Sequence, residues 1–389
     1  MGEAGSQGEV ALARVLAGAV DALPDGRLAE QLTSGKVLRV KFGMDPTSPD
    51  IHLGHTVVLQ KLRTFQDLGH TVVLIVGDYT ARVGDPSGRS DIRPELTSEE
   101  IEANALTYQE QAFKVLDRER TEVRHNSEWL EMPSGELFAL ARRFTVARLL
   151  ERDDFSRRME AAQPISLLEL LYPVLQGYDS VAVRADVELG GTEQRFNLLF
   201  GRDVQASFGQ RPQVAVTLPI LPGTDGVRKM SKTLDNYVGV TEPAAEIFGK
   251  LMSVPDAALG TYWELLLGGP LDAARSPLEA KRELGRRICD RFAGAGSGEE
   301  AEARFDLVHR AHEVPDDIPE VELPGGEEIH LPALMRDALG LSGAEARRLI
   351  AQGAVRIDGE RSDRLDVPAA ELAGSVLQVG RRRFLRLSR

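Results

Sequence analysis

Two short apolar runs, VLRVKFG (37–43) and TVVLIVGD (71–78), constrain this chain more than any other feature. Both are short, largely apolar and carry β-branched residues, as expected of buried strands. Between them LGHTVVLQKLRTFQDLG (53–69) carries helical spacing. A strand, a loop, a helix and a strand form a βαβ unit, and its crossover makes the two strands parallel. Further strands are expected at TEVRHN from Thr121, at VAVRADVEL (181–189) and at QVAVTLP (213–219), with helices at 98–116, 134–150, 166–177 and 192–208. The pattern predicts an α/β chain with a doubly wound, parallel, Rossmann-like sheet over 37–240. A helical segment (1–36) precedes it. An α-helical domain (241–313) follows, then a Pro-, Gly- and acid-rich linker (314–330) and a small α+β domain (331–389).

The loop after the first strand reads DPTSPDIHLGH and opens the first crossover helix. It takes two of the 7 histidines in 389 residues. A helix N-terminus has unpaired N–H groups and the positive end of the helix dipole, so it suits a phosphate. His52 and His55 in that first turn could donate hydrogen bonds to charge developing on a phosphoryl oxygen. Gly54 would let a flat base or a ribose approach the backbone. The dinucleotide glycine fingerprint and the Walker A loop are absent. A second candidate, GVRKMSKTLDNYVGV from Gly226, follows the last strand of the sheet. Lys229 and Lys232 in that loop could close over a triphosphate and neutralise a leaving pyrophosphate. Alone, two lysines in a polar loop more often mark solvated surface. In a doubly wound sheet, however, both loops lie at the carboxyl edge, where ligands bind.

HLGH and KMSKT resemble the two signatures of class I aminoacyl-tRNA synthetases, HIGH and KMSKS. The resemblance implies that the histidines stabilise the transition state in which an amino-acid carboxylate attacks the α-phosphate of ATP. Between the signatures, LLELLYPVLQGYDS puts Tyr172, Gln176 and Asp179 at i, i+4 and i+7, on one helix face. Spacing alone would favour a polar face that merely packs. The stretch resembles the tyrosine-binding helix of tyrosyl-tRNA synthetases, which implies that Tyr172 and Gln176 hold the α-amino group and that Asp179 accepts the phenol proton. GDPSG (84–88) resembles the same family and implies an amino-group contact for Asp85. VELGGTEQ implies ribose and substrate contacts for Gly191, Glu193 and Gln194. Gly43, Asp45 and Thr47 match the loop that meets ATP, and Ser231 belongs to the second signature. Two positions depart from the pattern. Lys41 stands where a tyrosine makes a second contact to the phenol, and a lysine there would either donate to the phenol oxygen or point away. Glu193 stands where Asp is expected.

The resemblance runs from about Lys41 to the end of the chain. It implies a tyrosine–tRNA ligase using ATP as a substrate, with Mg2+ arriving on the ATP, no prosthetic group and no metal bound by the protein. Its partners would be tyrosine and tRNA(Tyr), and it would be a homodimer. The catalytic set would be His52, His55, Thr47, Lys229 and Lys232. The last segment, SGAEARRLIAQGAVRIDGE onward, resembles an S-four-type RNA-binding module, named for a ribosomal protein. Arg347, Arg348, Arg381 and Arg382 are its candidate phosphate contacts. Charge is consistent with that: residues 331–389 carry 11 Lys and Arg against 7 Asp and Glu, whereas the whole chain has net charge −13. An acidic body argues against nucleic-acid binding over the whole surface. One cysteine, Cys289, leaves no internal disulfide and no cysteine-based zinc site. With no apolar run long enough to span a bilayer and no basic leader, a cytoplasmic location is expected. Three other readings stay open: a nucleotidylyltransferase, which also uses H-x-G-H; a paralogue activating a tyrosine analogue; and a non-catalytic RNA-binding protein on the same scaffold.

Overall fold

The computed structural model describes residues 3–47, 49–85, 97–307, 318–380 and 383–388. By its internal contacts the chain divides into two units, Met1–Ala295 and Gly296–Arg389.

The first unit is built on a six-stranded sheet of β1 (Asp21–Leu23), β2 (Arg39–Met44), β3 (Thr71–Val76), β4 (Thr121–His125), β5 (Val187–Gly191) and β6 (Val214–Leu218). Their spatial order is β1-β6-β5-β2-β3-β4, with β2 to β6 parallel and β1 antiparallel on the edge. β6 is buried along its whole length and β3 after its first residue. That is what the unbroken apolar runs required. From β2 the chain winds outward through β3 and β4, then returns across β2 to build β5 and β6. The direction therefore reverses between β2 and β5, and a crevice opens there at the carboxyl ends of the strands.

Five helices lie between β4 and β5, and the last of them, Leu167–Ala182, carries the candidate tyrosine-binding residues. Ser166 caps it by accepting from Glu169 N, and the Glu169 side chain answers the Ser166 backbone. Pro173 sits inside this helix, which continues past it for nine residues. At Gly177 the helix crosses Arg195–Ser207 so closely that a Cβ would lie 2.5 Å from Val204 Cγ2. Bulk there would shift Gln176 and Asp179. Ala244–Met252, Leu259–Leu267 and Pro277–Ala293 complete the unit. Cys289 is buried in the last of these, donates to Ala244 O, and burial pushes its thiol up to about 12. It is an inert core residue.

Several expected boundaries move. The N-terminal 1–36 is not purely helical: Asp21–Leu23 forms β1 on the open edge of β6. Three residues carry no period of their own, and the partner strand lies nearly 200 residues away. The strand expected at 181–189 begins only at Val187, because Val181 and Ala182 end the preceding helix and Arg184 turns the chain at φ 51°. The helix expected over 134–150 is two, Ser134–Ala141 and Val146–Leu149, the second restarted by Thr145 accepting from Arg148 N. The expected helical domain also ends early. Ser297–Asp306 belongs to the second unit, and the break falls at Gly294 and Gly296, whose φ values of 110° and 89° favour glycine.

The second unit holds β7 (Glu320–Glu322), β8 (Glu328–His330), β9 (Val355–Ile357), β10 (Glu360–Arg361), β11 (Asp366–Pro368), β12 (Val376–Val379) and β13 (Arg383–Ser388). Five form one sheet in the order β10-β9-β12-β13-β7, and β11 pairs with β8. Helices Leu331–Leu339 and Gly343–Ala351 pack into the same core through Leu334, Met335, Ala346 and Ile350. The expected linker is corrected here. Within 314–330 the described part supplies β7 and β8, and Ile329 and Leu323 join the core. Each strand shows only one inward apolar residue, so acid and proline concealed it in the sequence. Among the described residues no helix is long and apolar enough to cross a membrane.

Candidate active site

A cavity of about 520 Å³ opens at the switch point between β2 and β5. It is lined by Gly43, Asp45, Thr47, His52, Gly54, His55, Asp85, Tyr172, Gln176, Asp179, Gly191, Glu193, Gln194, Lys229, Ser231 and Lys232. Five separate stretches of sequence thus converge on one crevice.

At one end lie the two histidines. His52 is the N-cap of Leu53–Asp67, and its Nδ1 accepts from Gly54 N at 3.2 Å. His55 Nδ1 accepts from His52 N at 3.2 Å, which closes a capping box made of imidazoles. The rings lie 3.9 Å apart between centroids. Because both Nδ1 atoms accept, each neutral ring carries its proton on Nε2. Burial, then the neighbouring His55, Lys232 and Lys229, holds His52 well below the usual histidine value. Burial and Lys232 bring His55 down to about 4. The pair therefore offers neutral N–H donors at pH 7. Gly54 serves this arrangement as well as a ligand: a Cβ there would lie 3.0 Å from the His52 ring.

The lysine loop faces the histidines. Asn236, which is buried, holds it from within. Its Oδ1 accepts from Ser231 N at 2.8 Å, and its Nδ2 donates to Lys229 O and Asp225 Oδ2. Met230 N donates to Leu221 O, tying the loop to the end of the strand region. Lys232 Nζ reaches back across the cavity mouth to Asp50 Oδ2 at 2.6 Å.

The other end is lined by acids and amides. Asp179 is 4% exposed; Trp129 Nε1 donates to its Oδ1 at 2.8 Å and Asn126 Nδ2 to its Oδ2 at 3.4 Å. Burial raises its carboxyl to about 7, against the opposing charge of Lys41 and those two hydrogen bonds. Tyr172 donates its phenol proton to Asp45 Oδ2 at 2.9 Å, and Thr80 donates to Asp45 Oδ1. Gly77 leaves room for that carboxylate, since a Cβ would lie 2.0 Å from Asp45 Oδ1. Gln194 Nε2 donates to Asp85 Oδ2 at 2.7 Å, and Asn197 donates to Gln194 Oε1. Gln176 Nε2 donates to Glu188 Oε1, while its Oε1 is buried with no partner among the described residues. A buried acceptor without a partner, in a side chain that lines the cavity, suits a ligand that donates.

The model of the tRNA synthetases of class I (W and Y) matches residues 33–289. A tyrosine–tRNA ligase of Moorella thermoacetica is 52% identical over 93% of this chain and 90% of its own length. One of Bordetella avium is 50% identical over 93% and 91%. This chain belongs to the class I tRNA synthetases (W and Y). It is an aminoacyl-tRNA synthetase, and as a class I synthetase it uses ATP as a substrate. In fold it is similar to the tyrosyl-tRNA synthetase of Archaeoglobus fulgidus solved with L-tyrosine, with TM-score 0.61 and 21% identity over 76% of this chain and 99% of that one. A C-terminally truncated mitochondrial enzyme of Aspergillus nidulans gives 0.65 and 20% over 78% and 99%.

Within this synthetase one expected tyrosine contact is corrected. Lys41 does not line the cavity. It is fully buried, and its ammonium spends three donors on Glu188 Oε1 at 2.8 Å, Ser180 Oγ at 2.8 Å and Gln176 O at 2.9 Å. Its ammonium turns to Glu188 and not into the cavity because Glu188, next to it across the β2–β5 pairing, gives a buried ammonium the partner it requires. Sequence reasoning missed Trp129, Asn126, Glu188 and Asn236. Asn126 and Glu188 carried a signal, one directly after β4 and the other within β5. Arg347 and Arg348 are exposed on Gly343–Ala351 in the second unit. Arg381 and Arg382 lie outside the described residues. Arg356, Phe384 and Arg386 lie on the face of β9 and β13 opposite the buried Val355, Leu385 and Leu387.

Proposed function

We propose that this one cavity carries out both steps of tyrosine–tRNA ligation. The chain is a tyrosine–tRNA ligase. In the first step a carboxylate oxygen of tyrosine attacks the α-phosphorus of ATP. The bond to the β-phosphate oxygen breaks, and pyrophosphate leaves with its Mg2+. In the second step a terminal ribose hydroxyl of tRNA(Tyr) attacks the tyrosyl carbonyl, and AMP leaves. No side chain acts as a nucleophile. Catalysis is positioning plus stabilisation of phosphoryl charge.

The observation that carries this reading is the polarity of the cavity. Neutral imidazole donors and two lysines stand at one end; a buried acid and an unpaired amide acceptor stand at the other. His52, His55 and Thr47 would donate to the α-phosphate, and Lys229, Ser231 and Lys232 to the leaving pyrophosphate. Gly43, Asp45, Gly54, Gly191 and Glu193 would hold the adenosine. Gln176 and Asp85, with Tyr172 and Gln194, would meet the α-ammonium, and Asp179 the phenol. Arg347, Arg348, Arg356 and Arg386 would contact tRNA phosphates. Phe138, Val146, Leu167 and Leu168 are exposed on helices between β4 and β5, which supports association into a homodimer. The enzyme is expected in the cytoplasm. Amino-acid-dependent exchange between ATP and pyrophosphate, measured across the twenty amino acids, tests the reading. Exchange with tyrosine alone is expected, and exchange with another amino acid but not tyrosine would reject it.

A further inference from the structure

A buried ion pair at the wall of the substrate pocket, with Glu188 lining the cavity and Lys41 behind it, has no role in the chemistry just described. Lys41 and Glu188 have side chains 0% and 2% exposed and meet at 2.8 Å. Removing two opposite charges from water costs several kcal/mol per ion, which mutual attraction only partly offsets. A pair of well-packed apolar residues would be about as stable, so the pair is a candidate for specificity rather than stability.

Its neighbours show what it specifies. Glu188 Oε1 accepts from Lys41 and from Gln176 Nε2 at 3.3 Å, and Oε2 accepts from Ser180 Oγ at 3.2 Å and from Gln213 Nε2. A carboxylate paired with an ammonium only accepts. Gln176 must therefore turn its NH2 toward Glu188, and its amide oxygen is left facing the other way. That oxygen is the buried acceptor without a partner, in a side chain that lines the cavity. Lys41 fixes the same turn a second time, through its hydrogen bonds to Gln176 O and Ser180 Oγ.

We propose that Glu188, paired with Lys41 at 2.8 Å, is a positioning residue that sets the orientation of the Gln176 amide, so that the pocket presents an acceptor to the α-ammonium of tyrosine and selects ligands that carry it. An amide has two orientations of nearly identical shape, and packing alone does not choose between them. With its NH2 turned toward the substrate, Gln176 would oppose one donor with another. The inference rests on the reading that Gln176 faces the α-ammonium.

The experiment compares tyrosine with 3-(4-hydroxyphenyl)propanoate, which has the phenol and carboxylate but no amine. Equilibrium dialysis gives the Kd of tyrosine, and competition gives that of the analogue. Glu188→Gln introduces a side chain that can donate to Gln176 Oε1 and reverse the amide. The expected result is a tenfold or greater rise in the Kd of tyrosine, with that of the analogue changed less than about twofold. In pyrophosphate exchange the KM for tyrosine should rise in step while kcat moves less than about threefold. Should the single variant misfold, Lys41→Met with Glu188→Gln removes both buried charges together, which costs less than orphaning one. It should show the same loss of preference for tyrosine. Equal weakening of both ligands, or no change in either, would overturn the inference. Gln176→Ala separates the two levels. If it abolishes the preference while both Glu188 variants keep it, the Gln176 assignment stands and the inference falls. If Gln176→Ala keeps the preference, the assignment itself is wrong.

Discussion

The two ends of the cavity are built differently. At the phosphate end the controlling hydrogen bonds are short in sequence. His52 accepts from a residue two away, His55 from one three away, and Asn236 Oδ1 from one five away. At the tyrosine end the partners are remote. Asp179 meets Trp129 across 50 residues, Gln194 meets Asp85 across 109, Tyr172 meets Asp45 across 127 and Lys41 meets Ser180 across 139. The phosphate end is a local motif that the sheet only has to place. The tyrosine end exists only when the sheet and the Leu167–Ala182 helix have packed. A local motif keeps its geometry when distant parts change, whereas a remote one passes on every shift in packing.

The largest expected effect lies at the phosphate end. His55→Ala or Lys232→Ala should each lower kcat for pyrophosphate exchange by about 10²–10³, the range for losing one donor to developing charge. The KM for tyrosine should move little. A comparable rise in that KM would show that the two ends are not separable. Next is Asp179→Ala. Losing a charged hydrogen-bond partner in a buried site should raise the KM for tyrosine by about 10–10². Phenylalanine, which has no hydroxyl to lose, should be nearly unaffected, so the preference between them should narrow as measured by competing exchange.

A third prediction uses pH. Burial raises the Asp179 carboxyl to about 7, so the free enzyme holds it protonated below that pH and ionised above. The carboxylate accepts the phenol proton better than the acid does. The KM for tyrosine should therefore fall as pH rises from 6 to 8, by up to about tenfold per unit below the midpoint. Asp179→Asn should flatten that profile. The histidines should add no inflection there, since both are held below the usual histidine range and His55 at about 4. The raised Asp179 value also makes its contribution to folding stability greatest below about pH 4 and lost as pH rises through 7. The smallest effect concerns a long side-chain contact at the phosphate end, Lys232 with Asp50, separated by 182 residues. An ion pair this exposed is worth about 0.2–1 kcal/mol. Asp50→Asn should therefore lower the KM for ATP by about twofold to fivefold, because Lys232 no longer has to leave a carboxylate. A rise would mean that the pair positions the lysine instead of detaining it.

The same division explains what could be read before the fold was known. The alternation of apolar strands with helical segments identified the parallel sheet, because strand and helix leave different periods in a sequence. His52, Gly54, His55, Lys229 and Lys232, which line one cavity, were legible as candidates because each set is closely spaced in the chain. Tyr172, Gln176 and Asp179 were legible as one helix face. Beyond that the sequence was silent or misleading. β1, β7 and β8 are three residues each, and only the open edges of their partner strands make them strands. Lys41 could be placed near the phenol or away from it, and neither its type nor its neighbours decide. The tertiary structure decided, by setting Glu188 beside it with no water to compete. Local periodicity and short-range hydrogen bonds are written in adjacent residues; which buried charge faces which is settled only when strands far apart in the chain become neighbours.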